Sequence, residues 1–459
     1  MKSPFRFKLP LKMPKLNFAS PFGQLALIVG GLMILLMLSG SLLSWLQINQ
    51  SCGGWPLCQG AFSNLSWQGW IHLAHRLIVV LVGIAYTVLL VRAWQVQRSQ
   101  PFILVTITAG FVLFISQALL GAKLVNGFPW YLIVIHRATA AATWIALTAA
   151  ILAVGIAGRS REDEARERQE FVDRRGLGRD LLLLTKPIVV ALLLVTTFAG
   201  MVIGARELPA PWLAFWTLLG GFMAAGGSGA INQFIDRFDD VKMQRTQKRP
   251  IPSGRMTPGE GLAFGVGMTL GSFYIMVAFV NLVAALLTLA GIFYYVILYS
   301  IWLKKATVQN IVIGGGAGAI PPLVGWAAAT GSLNVPSLFL FAVVFMWTPP
   351  HFWSLALVRK NDYARAGVPM LPVVRGEKET RRQVLIYTFE LVALTLLLPL
   401  FGLGGSIYLI GAGILGAWLC HTAWKVWRSG GNKLAWKMYR YSSMYLAFLF
   451  IVLTVDRLL

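Results

Sequence analysis

Runs of about 20 apolar residues recur from Phe22 to the end of this chain, and each is long enough to cross a bilayer as a helix. Inside hydrocarbon every backbone N–H and C=O needs a partner, which leaves only helices and closed barrels. Runs of this length are helical, so the chain reads as an all-α polytopic membrane protein. Composition agrees. Of the 459 residues, 57% are hydrophobic and 12% charged, where a soluble domain carries about 25% charged. An ordinary soluble enzyme is excluded.

Thirteen spans are predicted, near 22–46, 69–91, 102–122, 130–156, 186–205, 212–235, 258–280, 282–303, 308–328, 336–358, 383–403, 405–427 and 441–458. The net charge is +23. In a soluble chain that excess points to nucleic acid, but no nucleic-acid motif is present and the charge sits between spans. With the N-terminus in the cytoplasm, only Lys123, Arg206 and Arg457 of the 40 Lys and Arg fall outside, and Arg76 and Arg137 lie within spans. This is the positive-inside pattern of a multi-pass plasma-membrane protein. The basic, Pro-rich stretch before the first span reads as the start of an anchor, not a cleaved signal peptide.

The segment 159–182 is highly charged and reads as a solvated cytoplasmic linker, in part helical. It divides a four-span unit (1–158) from a nine-span unit (183–459). In the first unit, His75-Arg76 and His136-Arg137 each lie six residues into a span, hence about 9 Å below the outer boundary. Two histidines at matched depth can ligate one heme iron from both sides, and the arginines can pair with its propionates. The alternative is two buried histidines bonded to neighbouring helices. Cys52 and Cys58, in the first external loop, can form a disulfide on that oxidising face; the alternative is two free thiols. Cys420 reads as a packing residue.

The Cys52–Cys58 loop with its Trp-Pro, the H-x-x-H-R ending at Arg76 and the second His-Arg resemble the N-terminal half of the heme A synthase family. That family oxidises a heme methyl group. Its motif has Glu three residues before the first histidine, where this chain has His72. An imidazole does not stabilise a cation as a carboxylate does. The resemblance therefore implies heme binding by this unit, but not heme A formation by this chain alone.

In the second unit, Asn232, Asp236 and Asp240 recur at intervals of four, which keeps them on one helix face. Acidic groups beside lipid are costly unless they bind a cation, and oxygen-only ligands suit Mg²⁺ with a phosphate-bearing substrate. Lys242, Arg245, Lys248, Arg249 and Arg255 follow in the next loop as phosphate partners. A second group, Lys360, Asp362 and Tyr363, closes another span at the same face, with Asp362 a further Mg²⁺ ligand. Tyr299, Lys304 and Lys305 end a third. His351 either orients a porphyrin, ligates its iron or is structural, and His421 reads as structural. The glycine runs 220–229 and 314–318 lack the G-K-[ST] of a P-loop and read as close helix packing.

The segments INQFIDRFDDVKMQRTQKRPIPSGR, YSIWLKKATVQN, GAIPPLVGW, PPHFWSLAL and DYARAGVPMLP resemble the UbiA family of intramembrane prenyltransferases. They are most similar to its protoheme IX farnesyltransferase branch, the heme O synthases. Ala366 stands where many relatives have a second Asp, as that branch usually does. The resemblance implies Mg²⁺-dependent farnesyl transfer from farnesyl diphosphate to heme B. Asn232, Asp236, Asp240 and Asp362 would be on metal; Arg249, Lys248, Lys304, Lys305, Tyr299, Lys360 and Tyr363 would be on substrate. Competing readings are a prenyltransferase for a quinone precursor and a non-catalytic heme-delivery protein. Further expected partners are a second copy of the chain, or a heme A synthase or cytochrome oxidase assembly protein.

Overall fold

The computed structural model describes residues 15–48, 52, 54–58, 65–125, 129–172 and 174–459. Most of the basic N-terminal stretch lies outside them. Thirteen helices among the described residues are long and apolar enough to cross a membrane. The chain divides into two compact units, Met1–Arg175 and Gly176–Leu459.

The first unit holds α1 (Pro21–Trp45), α2 (Trp67–Val96), α3 (Pro101–Leu124) and α4 (Trp130–Ala157). Local signals set their ends. Ser20 and Ser66 accept from the backbone of Gly23 and Gly69 as N-caps, satisfying donors that helix starts leave open. Pro21 and Pro101 occupy first-turn positions that need no N–H. Gly158 closes α4 with φ 53°, a conformation that favours glycine. Each helix packs on its chain neighbours, and α4 packs back on α1. That closes a square in which α2 and α4 stand diagonally.

The charged segment is not free of this bundle. Residues Arg161–Val172 form α5, which packs on α2. Glu164 accepts from the backbone N–H of Phe22 at 3.4 Å, and Glu167 accepts from that of Ser99 at 2.6 Å. Arg159 pairs with Glu167. Both glutamates are buried against helix starts, where backbone N–H groups favour a carboxylate. The two units meet after Arg175, within the segment 159–182.

The second unit opens with the short α6 (Leu177–Leu184). Then follow α7 (Pro187–Ala205), α8 (Pro211–Ile235), the single turn α9 (Arg237–Asp240) and α10 (Pro258–Phe279). α11 (Leu282–Ala306), α12 (Asn310–Thr330) and α13 (Val335–Val358) come next. Two short helices, α14 (Lys360–Arg365) and α15 (Leu371–Val374), precede α16 (Gly376–Leu397), α17 (Ser406–Ser429) and α18 (Asn432–Leu458). The long helices pack in sequence, and α18 returns to α7 to close a ring. α16 and α18 begin about two turns before their apolar runs, because polar turns continue a helix beyond the hydrocarbon.

Glycines set the closest approaches. A Cβ on Gly325 of α12 would stand 1.8 Å from the Thr197 carbonyl oxygen of α7, and one on Gly200 would stand 2.3 Å from that of Pro322. Gly227 and Gly265 face each other the same way across α8 and α10. Tyr294–Leu303 of α11 is π-helical: the Lys304 N–H reaches back to the Tyr299 carbonyl. Such stretches gather at functional sites; this one turns Tyr295, Ser300 and Lys304 toward α8.

Gly325→Ala is expected to cost about 1–3 kcal/mol through overpacking against backbone that cannot yield. Gly318→Ala, with nothing within 4 Å of the added carbon, should leave stability unchanged. Thermal unfolding of both variants in detergent measures the contrast.

Candidate active site

The α8 helix ends on Asp236, whose N–H still bonds to the Asn232 carbonyl at 2.9 Å. The chain then turns through α9, which carries Asp239 and Asp240. All four side chains are buried. Thr246 donates to the Asp240 carbonyl at 2.9 Å, so the following loop folds back over the helix end. That brings Arg249 to within 2.6 Å of Asp240. Farther along, Arg255 ties the loop to Asp180 of α6 at 2.9 Å.

Each carboxylate here meets a basic side chain. Lys304 reaches Asp236 at 2.5 Å and Lys305 reaches Asp239 at 2.6 Å. Arg365 pairs with Asp362. Lys186, just before α7, donates to Asn232 Oδ1 at 2.7 Å and to the Tyr295 hydroxyl at 3.2 Å. Asn232 Nδ2 donates to Asp236 at 2.9 Å and to Ser300 at 3.1 Å. An ammonium needs an acceptor and a carboxylate needs a donor. The Asn232 amide is therefore oriented with its oxygen toward Lys186, and it bridges the two charges.

The second motif lies at the same place. Tyr363 is within electrostatic reach of Arg245, Arg249 and Asp362, and burial raises its hydroxyl pKa. Tyr299 is within reach of Tyr363, Asp236 and Arg245, and its ring stacks on Tyr295 at 5.7 Å. Asp236, Asp240, Asp362, Arg249, Lys304, Lys305, Tyr299 and Tyr363 thus gather at one end of the bundle. Lys360 does not join them: it pairs with Glu377 at 3.2 Å. Lys248 is exposed and contributes its carbonyl to Arg255.

His351 lies two turns inside α13. Its Nδ1 bonds to Ser442 at 2.9 Å, and its ring stacks on Trp347 at 4.2 Å and lies 4.5 Å from the Tyr439 ring. His421 is exposed on α17.

Among the described residues no three His, Cys, Asp or Glu enclose a metal position. Of the four expected Mg²⁺ ligands, Asn232 and Asp236 are in contact, while Asp236, Asp240 and Asp362 each turn to a basic partner instead of to one common point. The donors still suit Mg²⁺ bound with an anion. They are oxygen-only, and Lys186 and Arg245 add positive charge beyond the four ion pairs.

Several residues of the cluster escape sequence reasoning. Lys186 looks like any positive-inside lysine. Asp239 is hidden beside Asp240. Tyr295 and Ser300 carry no signal beyond apolar periodicity, since the π-helical stretch changes which residues share a face. Asn310, which donates to the Lys304 carbonyl at 3.2 Å, reads only as a helix start.

In the first unit Cys52 and Cys58 are joined in a disulfide. Arg76, placed by the sequence beside a propionate, donates here to the carbonyls of Pro56 and Cys52 at 3.0 and 2.9 Å. Arg137 reaches the Ser44 hydroxyl at 3.5 Å. His75 Nδ1 bonds to Ser39 at 2.7 Å, and His136 Nε2 bonds to Gln117 at 3.0 Å. His72 is buried and, like His136, within electrostatic reach of His75. The His75 and His136 rings pack closely on Gly40 and Gly121, where an added Cβ would stand only 3.2 and 3.3 Å from them. His136 Nδ1 is buried without a partner.

A family profile described as the UbiA prenyltransferase family matches residues 193–450. Protoheme IX farnesyltransferase of Roseiflexus castenholzii is 41% identical over 94% of this chain and 83% of its own length. That match extends beyond what the second unit alone can supply. Protoheme IX farnesyltransferase of Gloeobacter violaceus is 48% identical over 60% of this chain and 91% of its own length. A solved structure of digeranylgeranylglyceryl phosphate synthase covers 61% of this chain and 98% of its own, with TM-score 0.52 and 17% identity; it shows the fold alone.

Removing one partner of a buried ion pair is strongly destabilising. Lys304→Gln and Asp236→Asn should each lower stability by about 3–5 kcal/mol, and the double variant by clearly less than their sum. A double-mutant cycle on unfolding in detergent measures this coupling.

Proposed function

The chain belongs to the UbiA prenyltransferase family, and on that premise we propose that it transfers the farnesyl group of farnesyl diphosphate to a vinyl group of protoheme IX. The observation that carries this reading is the buried cluster of Asp236, Asp239, Asp240 and Asp362 with more cations than acids around it. Such a cluster suits a metal diphosphate. The relatives named protoheme IX farnesyltransferase support heme as the acceptor.

Binding is an exchange of partners. Asp236, Asp240 and Asp362 would turn from their basic partners to Mg²⁺, with Asn232 and Asp239 beside them. When bound, the ion neutralises charge on the leaving diphosphate. The released Lys304, Lys305 and Arg249, with Lys186 and Arg245, then take phosphate oxygens. Their charge is held in place beside buried acids, ready to meet the negative charge that develops on the leaving oxygen. The allylic C–O bond breaks with its electron pair going to the diphosphate. The vinyl π pair attacks the farnesyl carbon, water adds to the resulting cation, and the proton lost by that water balances the diphosphate. Tyr295, Tyr299 and Tyr363 line the region, and aromatic faces stabilise a nearby cation. The hydrogen-bonded, stacked ring of His351 favours positioning of the porphyrin wall over ligation of its iron.

In this reading the four-span unit binds one heme through His75 and His136, with His72 near His75, and does not alone form heme A. In the same reading the N-terminus and the transferase site face the cytoplasm from the plasma membrane, which the excess of Lys and Arg in the loops on that side supports.

Purified protein given heme B, farnesyl diphosphate and Mg²⁺ should yield the hydroxyethylfarnesyl heme by mass. Asp236→Asn or Asp240→Asn should lower the rate at least about 100-fold, while wild-type rates in either would contradict the assignment. For the first unit, a low-spin bis-imidazole spectrum of the full chain should be lost in both His75→Ala and His136→Ala. Its persistence in either would refute that ligand pair.

A further inference from the structure

Farnesyl transfer makes no use of a second group of cations in the second unit. Arg375, at the start of α16, is followed by Lys378 and Arg382. Spacings of three and four put them on one helix face. With Glu379 and with Trp427 of α17 they line a cleft of about 340 Å³. Glu379 accepts from Gln383 at 2.8 Å and lies 3.7 Å from Arg382. One carboxylate thus stands against three cations. The positive end of a 22-residue helix, α16, adds to them.

The same stripe changes character with depth. Seven residues beyond Arg382 it presents Phe389, 50% exposed, and seven beyond that Leu396, 38% exposed. A cationic head with an apolar continuation matches the layout of one lipid molecule. Trp427 and Trp424, 4.9 Å apart, supply rings of the kind that settle at headgroup level.

We propose that this cleft binds an anionic phospholipid. Arg375, Lys378 and Arg382 hold its phosphate, Trp427 walls the headgroup, and an acyl chain lies along Phe389 and Leu396. Basic pockets on membrane helices bind anionic headgroups in this way. Free phosphate shares the headgroup's chemistry but has nothing to place on the apolar stripe.

The full chain is placed in phosphatidylcholine nanodiscs with increasing phosphatidylglycerol. Native mass spectrometry reads retained lipid, and thermal unfolding reads stability. Phosphatidylglycerol should be retained and should raise the melting temperature. Arg375→Gln/Lys378→Gln/Arg382→Gln should weaken retention about tenfold or more. Arg428→Gln/Lys433→Gln/Lys437→Gln removes equal charge from α17 and α18 outside the cleft and should keep it. Equal losses in the two triple variants would show diffuse surface attraction and overturn the site. A melting shift reproduced by inorganic phosphate alone would make it an anion site and overturn the lipid. Should the first triple variant not fold, Arg382→Glu at its exposed position should still lose retention several-fold, and unchanged retention there would contradict the proposal.

Discussion

The second unit is organised around charge that cannot be left alone. Asp236, Asp239 and Asp240 are buried at the end of α8, where an unpaired carboxylate would cost several kcal/mol. Their partners come from elsewhere: Lys304 and Lys305 from the end of α11, Arg249 from the loop beyond α9. Lys186, before α7, joins through Asn232. Three chain segments distant in sequence, around Lys186, Asn232–Arg249 and Lys304, are therefore held at one point by electrostatics, while the glycine contacts of α7 with α12 and of α8 with α10 hold the helices close enough to reach it.

On the proposed function, the same pairing would select a specific kind of ligand. A metal ion alone would have to displace ammonium groups from carboxylates and leave them buried without partners. A diphosphate alone would have to draw cations from acids and leave those unpaired. A metal diphosphate satisfies both sets at once. On that function the resting network would favour the complete ligand over either part.

Most of the architecture is legible in the sequence because membrane spans are written in uninterrupted apolar length. The thirteen spans and the motifs at their ends follow from that and from the basic loops. What is not legible depends on packing. The π-helical stretch of α11 moves Tyr295 and Ser300 onto a face that 3.6-residue periodicity does not give them. Lys186 has the same local signature as any lysine that flanks a span. The segment after Arg159 reads as solvated because its charge is high, yet Glu164 and Glu167 are buried on the backbone N–H groups of Phe22 and Ser99. Lys360 sits within a motif but turns to Glu377, since a residue's place in a motif does not fix its rotamer.

The central claim, that carboxylates and cations exchange partners together, predicts strong coupling between metal and diphosphate. Calorimetric binding of a farnesyl thiodiphosphate to the full-length protein, with and without Mg²⁺, tests it most directly. The account expects the analogue to bind at least about tenfold tighter with Mg²⁺ and, by linkage, Mg²⁺ to bind tighter by the same factor with the analogue. Equal affinities in the presence and absence of the ion would contradict it.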